Sequence, residues 1–288
     1  MSASSAYSHD KSMPVIEQAV KRTEELFLRI RLKGEIPLHE IRRDVLPLVL
    51  EATEQMDLYP LLLSLQAKND YLYRHPVAVS IISNLIGNWM KLPENELAIL
   101  TIGALLHNVG SMRLPESILN KEGPLQPEEF ELIKSHPMIG YELLEQTVGV
   151  SKRSALIALQ HHERVDGTGY PLRLMSSQVD ELSKIVAVAD VFHAMTCNRG
   201  YRHAASYSEI LHQMYSGTIG QFDYKVLRTV MQRLMNAMVG CEAALSDERR
   251  GKIIMFHPCN PAEPLMQIAH EFVDLSRERA INMALIIG

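Results

Sequence analysis

Cysteine is scarce in this chain: Cys197, Cys241 and Cys259 are the three, and no CxxC spacing occurs among them. An odd count without that spacing argues against a disulfide framework and against a thiolate zinc knuckle. Aromatic residues make up only 6%, with a single tryptophan. Neither sign of charge dominates, since 29 Lys and Arg stand against 34 Asp and Glu. The resulting net charge of −5 offers no global basic field to a nucleic acid or an anionic membrane. The longest apolar stretch, Leu97 to Leu106, is half the length a bilayer span requires. The opening residues, MSASSAYSHDK, contain no apolar segment of the kind a secretory signal needs. The expectation is a cytoplasmic protein in a reducing compartment, with no nucleic-acid partner and no membrane span.

What remains is ordinary globular material with a surplus of histidine. The 288 residues are 47% hydrophobic and 22% charged, which excludes a disordered or low-complexity chain. That length suits two domains, or one domain with appendages. Twelve histidines are present, and their placement is the informative feature.

Helical periodicity dominates from about residue 15 to residue 230. Ile16, Val20, Phe27 and Ile30 form one stripe, closed by Lys33-Gly34. Leu38, Ile41, Val45, Leu48 and Ala52 form a second, which ends before Tyr59-Pro60 and contains Pro47 as a candidate kink. Further helices are expected around Val79, Ile82 and Ile86, with His75 on the same face, and from Pro93-Glu94 to His107-Asn108, with Gly110 as the stop. Another begins at Pro127-Glu128-Glu129, turns Leu132, Ile133 and His136 inward, and ends before Pro137. Ser154 to His162 forms the next, followed by the loop Asp166-Gly167-Thr168-Gly169-Tyr170-Pro171. Leu182, Ile185, Val186 and Ala189 mark a helix carrying Asp190, and Phe222-Asp223 caps one holding Val226, Leu227, Val230 and Leu234. After Gly240 the pattern turns to short β-like runs at 252–256, 265–268 and 282–287. The expected organisation is a helical N-terminal region over 1–65, a helical bundle over 66–239 and a small β appendage over 240–288.

His75, His107, His136, His161, His162 and Asp190 recur on the inward faces or at the ends of these helices. One histidine on an apolar face is ordinarily a hydrogen-bonded core residue. Burying five without partners costs on the order of several kcal/mol. A shared metal site removes that cost, and imidazole with carboxylate suits Zn, Mn or Fe.

The stretches RHPVAVS, GALLHNVGSMRLPESILNKEGPL, EEFELIKSHPMIGYELL, HHERVDGTGYP and KIVAVADVFHAMTCNRGYR occur in that order over about residues 70–235. In this order and spacing the chain resembles the HD-GYP proteins of the HD phosphohydrolase superfamily, and HHERVDGTGYP is the most specific match. The resemblance implies a mainly α HD-domain bundle holding one or two divalent transition metal ions, Fe, Mn or Zn. It implies hydrolysis of cyclic di-GMP by attack of a metal-bound hydroxide on a phosphodiester phosphorus. Position by position, His75, His107 and Asp190 would take one metal, and His136, His161 and His162 the other. Gly169, Tyr170 and Pro171 would line the nucleotide site, while Arg199 and Arg202 would grip phosphate. The implied partners are cyclic di-GMP and a signalling protein docking at the GYP loop; a homodimer is left open.

Four positions depart from the family pattern. The HD dyad is His107-Asn108, so a carboxylate expected to bridge the metals becomes an uncharged amide. Two dications about 3.8 Å apart repel by roughly 17 kcal/mol at an effective dielectric of ~20, before ligand compensation. Ser111 replaces a phosphate-binding Lys. Tyr71 stands where members with a third metal carry an acid, which excludes that metal. His193 replaces an Asp and receives no role from the sequence. Asn108 and Ser111 are thus the degenerate catalytic positions, and the Asn108 amide oxygen, a weak and uncharged donor, is the seventh candidate metal ligand beside the six named above. Two main readings follow: a weakened phosphodiesterase, or a non-catalytic receptor for cyclic di-GMP or a partner protein using the same pocket. A third is a relic serving only as a docking surface.

Three smaller readings complete the set. Glu128, Glu129 and Glu131 form a solvated helix start; Asp166 shapes its turn; Glu163 orients an imidazole or lies exposed.

Overall fold

The computed structural model describes residues 14–55, 58–66, 70–121, 123–197, 207–217, 220–257, 260–278, 281 and 283–286. Helix α1 (Val15–Lys33) buries the expected stripe and ends at Gly34, whose φ of 75° is the left-handed cap that glycine tolerates. The second stripe forms a nearly continuous rod in three pieces. These are α2 (Leu38–Glu40), a π-helical turn (Ile41–Val45) and α3 (Leu46–Gln55). Pro47 has no N–H to give and crowds the carbonyl four residues back, and the widened turn sits where that crowding falls. Tyr59-Pro60, expected to lie beyond a helix, falls in the first turn of another, α4 (Leu58–Ser64), where a missing N–H costs nothing.

Helix α5 (Tyr71–Trp89) is the axis of the bundle, with every residue from Arg74 to Asn84 buried. Arg74 is 1% exposed and is held by Asp70 at 2.7 Å and by Glu17 at 2.7 Å, which pins α1 onto α5 one residue before His75. Helices α6 (Glu94–Leu106) and α11 (Glu181–Thr196) pack on this axis, and α10 (Lys152–Gln160) packs on both of them. Ser151 and Asp180 cap α10 and α11 through their backbone N–H groups. Short helices α7 (Glu116–Leu119), α8 (Pro127–Ile133) and α9 (His136–Glu145) close one side. Helices α12 (Tyr207–His212) and α13 (Tyr224–Met238) complete the order, the latter capped by Asp223 as expected.

Three expectations need correction. Pro137 does not end a helix but lies in the first turn of a new one, so the segment around His136 is two helices, α8 and α9. Leu132 is 40% exposed rather than inward, because α8 lies on the surface. Gly110 is not a stop signal: α6 ends at Leu106, and Gly110 sits inside a 3₁₀ turn (Val109–Arg113). A Cβ on Gly110 would stand 2.1 Å from the His136 carbonyl oxygen and 2.5 Å from the Gly140 nitrogen. Its bare Cα is what lets α9 lie against that turn.

The C-terminal region forms an antiparallel sheet of β1 (Glu242–Leu245), β2 (Arg250–His257), β3 (Asn260–Ile268), β4 (Glu271–Asp274) and β5 (Met283–Ile286). Their spatial order is β4-β3-β2-β1-β5. Strands β1 and β4 are four residues each, too short for alternation to announce them. Ala243, Ile253, Met266 and Met283 carry the bundle's apolar cluster into the sheet, which packs on α12 and α13. Among the described residues, no helix is long and apolar enough to cross a membrane.

The close approach at Gly110 yields a first prediction. Gly110→Ala should lower stability by about 1–3 kcal/mol, because both colliding partners are backbone atoms that move only with α9. A urea midpoint equal to that of the parent would show that the turn and α9 separate freely.

Candidate metal centre

The six expected ligands converge. His75 comes from α5, His107 from the residue after α6, His136 from the start of α9, His161 and His162 from the two residues after α10, and Asp190 from α11. They form two groups, His136 with His161 and His162, and His75 with His107 and Asp190. Within each group the ligand atoms lie within 4.8 Å of one another. All are buried except the partly exposed His162.

The hydrogen positions on these rings decide what the cluster presents. His107 Nδ1 lies 2.6 Å from the Ala104 carbonyl, His136 Nδ1 2.7 Å from that of Ile133, and His161 Nδ1 2.9 Å from that of Ala158. Each carbonyl belongs to the last three residues of a helix, where it has no donor within that helix. A carbonyl only accepts, so each ring carries its hydrogen on Nδ1 and leaves Nε2 bare. Burial, reinforced by the His75 charge, pushes His107 down to about 3, and burial lowers His136, His161 and His162 as well. The rings are therefore neutral near pH 7.

These bare nitrogens face one another. His136 Nε2 is 3.2 Å from His161 Nε2, and His107 Nε2 is buried with no hydrogen-bond partner. Asp190 joins them with Oδ1 at 2.8 Å from His75 Nε2 and Oδ2 at 3.8 Å from His162 Nδ1. Burial opposes its ionisation, yet the His75 hydrogen bond and the neighbouring imidazoles hold it well below the usual carboxylate range. Lone pairs packed this closely repel unless a cation lies among them. Neutral imidazoles and one carboxylate form a donor set that fits a divalent first-row transition metal.

The degenerate positions lie at the 3₁₀ turn. Asn108 precedes it, and its carbonyl accepts both the Ser111 N–H at 3.0 Å and the Ser111 hydroxyl at 2.6 Å. Ser111 thus spends its side chain on its own turn and does not stand in for a cation.

The GYP loop covers the centre from one side. Tyr170 stacks on His162 with ring centroids 4.6 Å apart, and burial pushes its phenol above the ordinary range. Gly169 packs where a Cβ would lie 2.4 Å from the Arg164 nitrogen. Pro171 follows through a cis peptide bond. Glu163 is neither exposed nor an orienter of imidazole. It is buried, and its carboxylate accepts the Leu172 N–H at 2.7 Å and the Leu174 N–H at 2.9 Å, fixing the loop. Asp166 accepts from the Thr168 N–H and hydroxyl, as a turn-shaping residue does. Glu129 closes its helix start on the Gln126 N–H. Arg199 and Arg202 lie outside the described residues.

Two residues near the centre carry no role in the sequence reading. The Arg164 guanidinium lies 4.6 Å over the Phe222 ring and donates to the Glu163 carbonyl at 3.0 Å. Burial lowers its pKa, and the charge of Asp190 pulls it the other way. The HHER sequence offered the only signal, a cation directly beside two ligands. His193, also buried, lies 2.8 Å from His75 between ring Nδ1 atoms.

A family model described as an HD domain matches residues 57–226. The cyclic di-GMP phosphodiesterase PA4108 of Pseudomonas aeruginosa is 32% identical over 207 residues, which is 72% of this chain and 50% of that protein. The cyclic di-GMP phosphodiesterase response regulator RpfG of Xanthomonas campestris is 37% identical over 158 residues, 54% of this chain and 41% of that protein. The 3'3'-cGAMP-specific phosphodiesterase 1 of Vibrio cholerae is 31% identical over 167 residues, 58% of this chain and 38% of that protein. The chain therefore spans half or less of the length of these relatives. Among solved structures, Bd1817, an HDG"Y"P protein from Bdellovibrio bacteriovorus, shares the fold with a TM-score of 0.60 at 19% identity, covering 76% of this chain and 70% of its own.

Neutral buried imidazoles set a pH dependence in the metal-free chain. Their folded pKa values lie below the unfolded value near 6.5, so the unfolded state binds more protons as pH falls. Stability should be full above pH 7 and decline below about 6.5, by up to about 2 kcal/mol per ring at pH 5. Urea midpoints of chelator-treated protein at about pH 7.5 and at about pH 5 read this directly. A flat profile would contradict the neutral assignment.

Proposed function

The chain belongs to the HD domain family, and on that premise we propose that it is a metal-dependent phosphohydrolase of the HD-GYP kind acting on cyclic di-GMP. The observation that carries this reading is the pair of ligand groups, His136–His161–His162 and His75–His107–Asp190, with bare imidazole nitrogens turned toward one another. Fe, Mn and Zn all suit these donors, in one or two ions. When bound, such a cation lowers the pKa of coordinated water and neutralises charge on a phosphate oxygen.

The chain's own residues supply the rest. Asp190 contributes the only carboxylate charge among the seven proposed ligands, and Asn108 offers an amide oxygen without charge. Tyr170 and Gly169-Pro171 form the wall toward the nucleotide, while Arg164, Arg199 and Arg202 are the cations available to phosphate oxygens. The substrate class rests on the relatives, which are named for cyclic di-GMP and for 3'3'-cGAMP. Residues 66–239 are read as the HD-GYP unit, between a helical region and the C-terminal sheet, in a cytoplasmic protein. Leu172 is 48% and Met175 53% exposed beside the GYP loop, the surface a signalling partner would use.

Asn108 and Ser111 favour a second reading, a receptor that binds the dinucleotide without cleaving it. Elemental analysis and turnover of cyclic di-GMP, with aerobic and anaerobic Fe, Mn and Zn loading, separate the two. We expect nearer one tightly held metal than two, on His136, His161 and His162, and slow formation of linear dinucleotide. Asn108→Asp with Ser111→Lys should restore a second metal and raise turnover by roughly a thousandfold, each change supplying ~2–4 kcal/mol without simple addition. Absence of product from the parent and the double variant, with calorimetric binding intact, would establish the receptor instead.

A further inference from the structure

The hydrogen-bond directions around His193 give this residue a task. It lies three residues after Asp190 on α11 and is 1% exposed. Its Nε2 stands 3.0 Å from the Leu65 carbonyl oxygen. A carbonyl only accepts, so the hydrogen of His193 is on Nε2, and Nδ1 of the neutral ring is an acceptor. That acceptor is 2.8 Å from Nδ1 of His75. Two bare nitrogens do not approach so closely, so His75 carries its hydrogen on Nδ1 and donates it to His193. A carboxylate oxygen also only accepts, so His75 Nε2, 2.8 Å from Asp190 Oδ1, shares a hydrogen with it in the metal-free chain and is the ring atom a cation would take in that hydrogen's place. Tyr71 lies flat against the His75 ring, with centroids 4.7 Å apart and planes 18° apart, and holds its plane.

His107, His136 and His161 each take the same orientation from a carbonyl at a helix end. His75 stands inside α5, away from such an end, and a side chain from α11 performs the task. We propose that His193 is a positioning residue for the metal centre: by accepting the Nδ1 proton of His75 it aims the Nε2 lone pair at the site shared with His107 and Asp190. This inference deepens the metal-centre reading above and rests on it.

The test compares the parent with His193→Leu and His193→Asn by Co(II) titration followed through visible absorption, with ring ¹⁵N resonances of His75 recorded in the parent. Leu removes the acceptor while filling space; the Asn side-chain oxygen reaches the place of Nδ1. We expect the weaker Co(II) step to lose roughly 10–100-fold in affinity in the Leu variant and to stay within about threefold in the Asn variant. His75 should be protonated at Nδ1. A folded Leu variant that binds Co(II) like the parent overturns the proposal, as do Leu and Asn variants weakened alike. If the Leu variant does not fold, the parent spectrum decides, because a bare His75 Nδ1 refutes the relay and a protonated one supports it. A parent that takes up no metal defeats the proposed function instead, and the same spectrum, which needs no metal, still judges the relay.

Discussion

The structure turns on one hydrogen bond made three times, from an imidazole Nδ1 to a carbonyl at the end of a helix. Helices α6, α8 and α10 each end with carbonyls that have no donor of their own. His107, His136 and His161 sit three residues beyond one of these carbonyls and satisfy it. The bond caps the helix and fixes the tautomer in one step. Its consequence is a buried space walled by bare Nε2 atoms, which an apolar core has no means of satisfying. Folding thus gathers donors that suit a divalent cation, and where one binds, binding and folding become linked equilibria.

The rest of the architecture brings these helix ends within reach of one another. Gly110 lets α9 close on the turn after α6, and Gly169 lets the GYP loop lie on the segment that follows His162. Both contacts are backbone against backbone, so neither tolerates a side chain. Arg74, gripped by Glu17 and Asp70, fixes α1 on the axis helix beside His75. Glu163 does the same for the loop by accepting two of its N–H groups. A buried carboxylate next to two ligands is therefore an element of scaffold, and the charge balance of the centre falls to Asp190.

What could be read from the sequence follows the physics of each element. Long helices with an apolar stripe, such as α1 and α13, declare themselves because many residues repeat one signal. Proline misled at 137, because a first-turn proline and a helix-ending proline look alike until the flanking residues are placed in space. Gly110 misled for a related reason: a glycine that permits close approach and a glycine that ends a helix carry the same letter. The six candidate ligands, which the structure brings into two groups, could be picked out because their motifs fix spacing along the chain. Arg164 and His193 were not, since their tasks come from a neighbouring ring, a remote carbonyl and a ligand on another helix.

The two halves of the centre differ in how they are secured. In one, His136 and His161 are oriented by carbonyls of the main chain, which no substitution of a side chain removes. In the other, His75 depends on His193, and the neighbouring dyad residue is Asn108 rather than an acid. Asp190 is left as the one formal negative charge for the whole set. Each cation held there leaves the pocket net positive, and Arg164 adds to that field from its partly buried position. All six candidate ligands but the partly exposed His162 are buried, so solvent screens that field less than it would at a surface. A phosphodiester, the substrate class proposed above, carries the complementary charge. On this balance the loss of the bridging acid weakens the hold on a second metal more than it weakens attraction for the anion. The same substitution therefore bears on hydrolysis first and on recognition second.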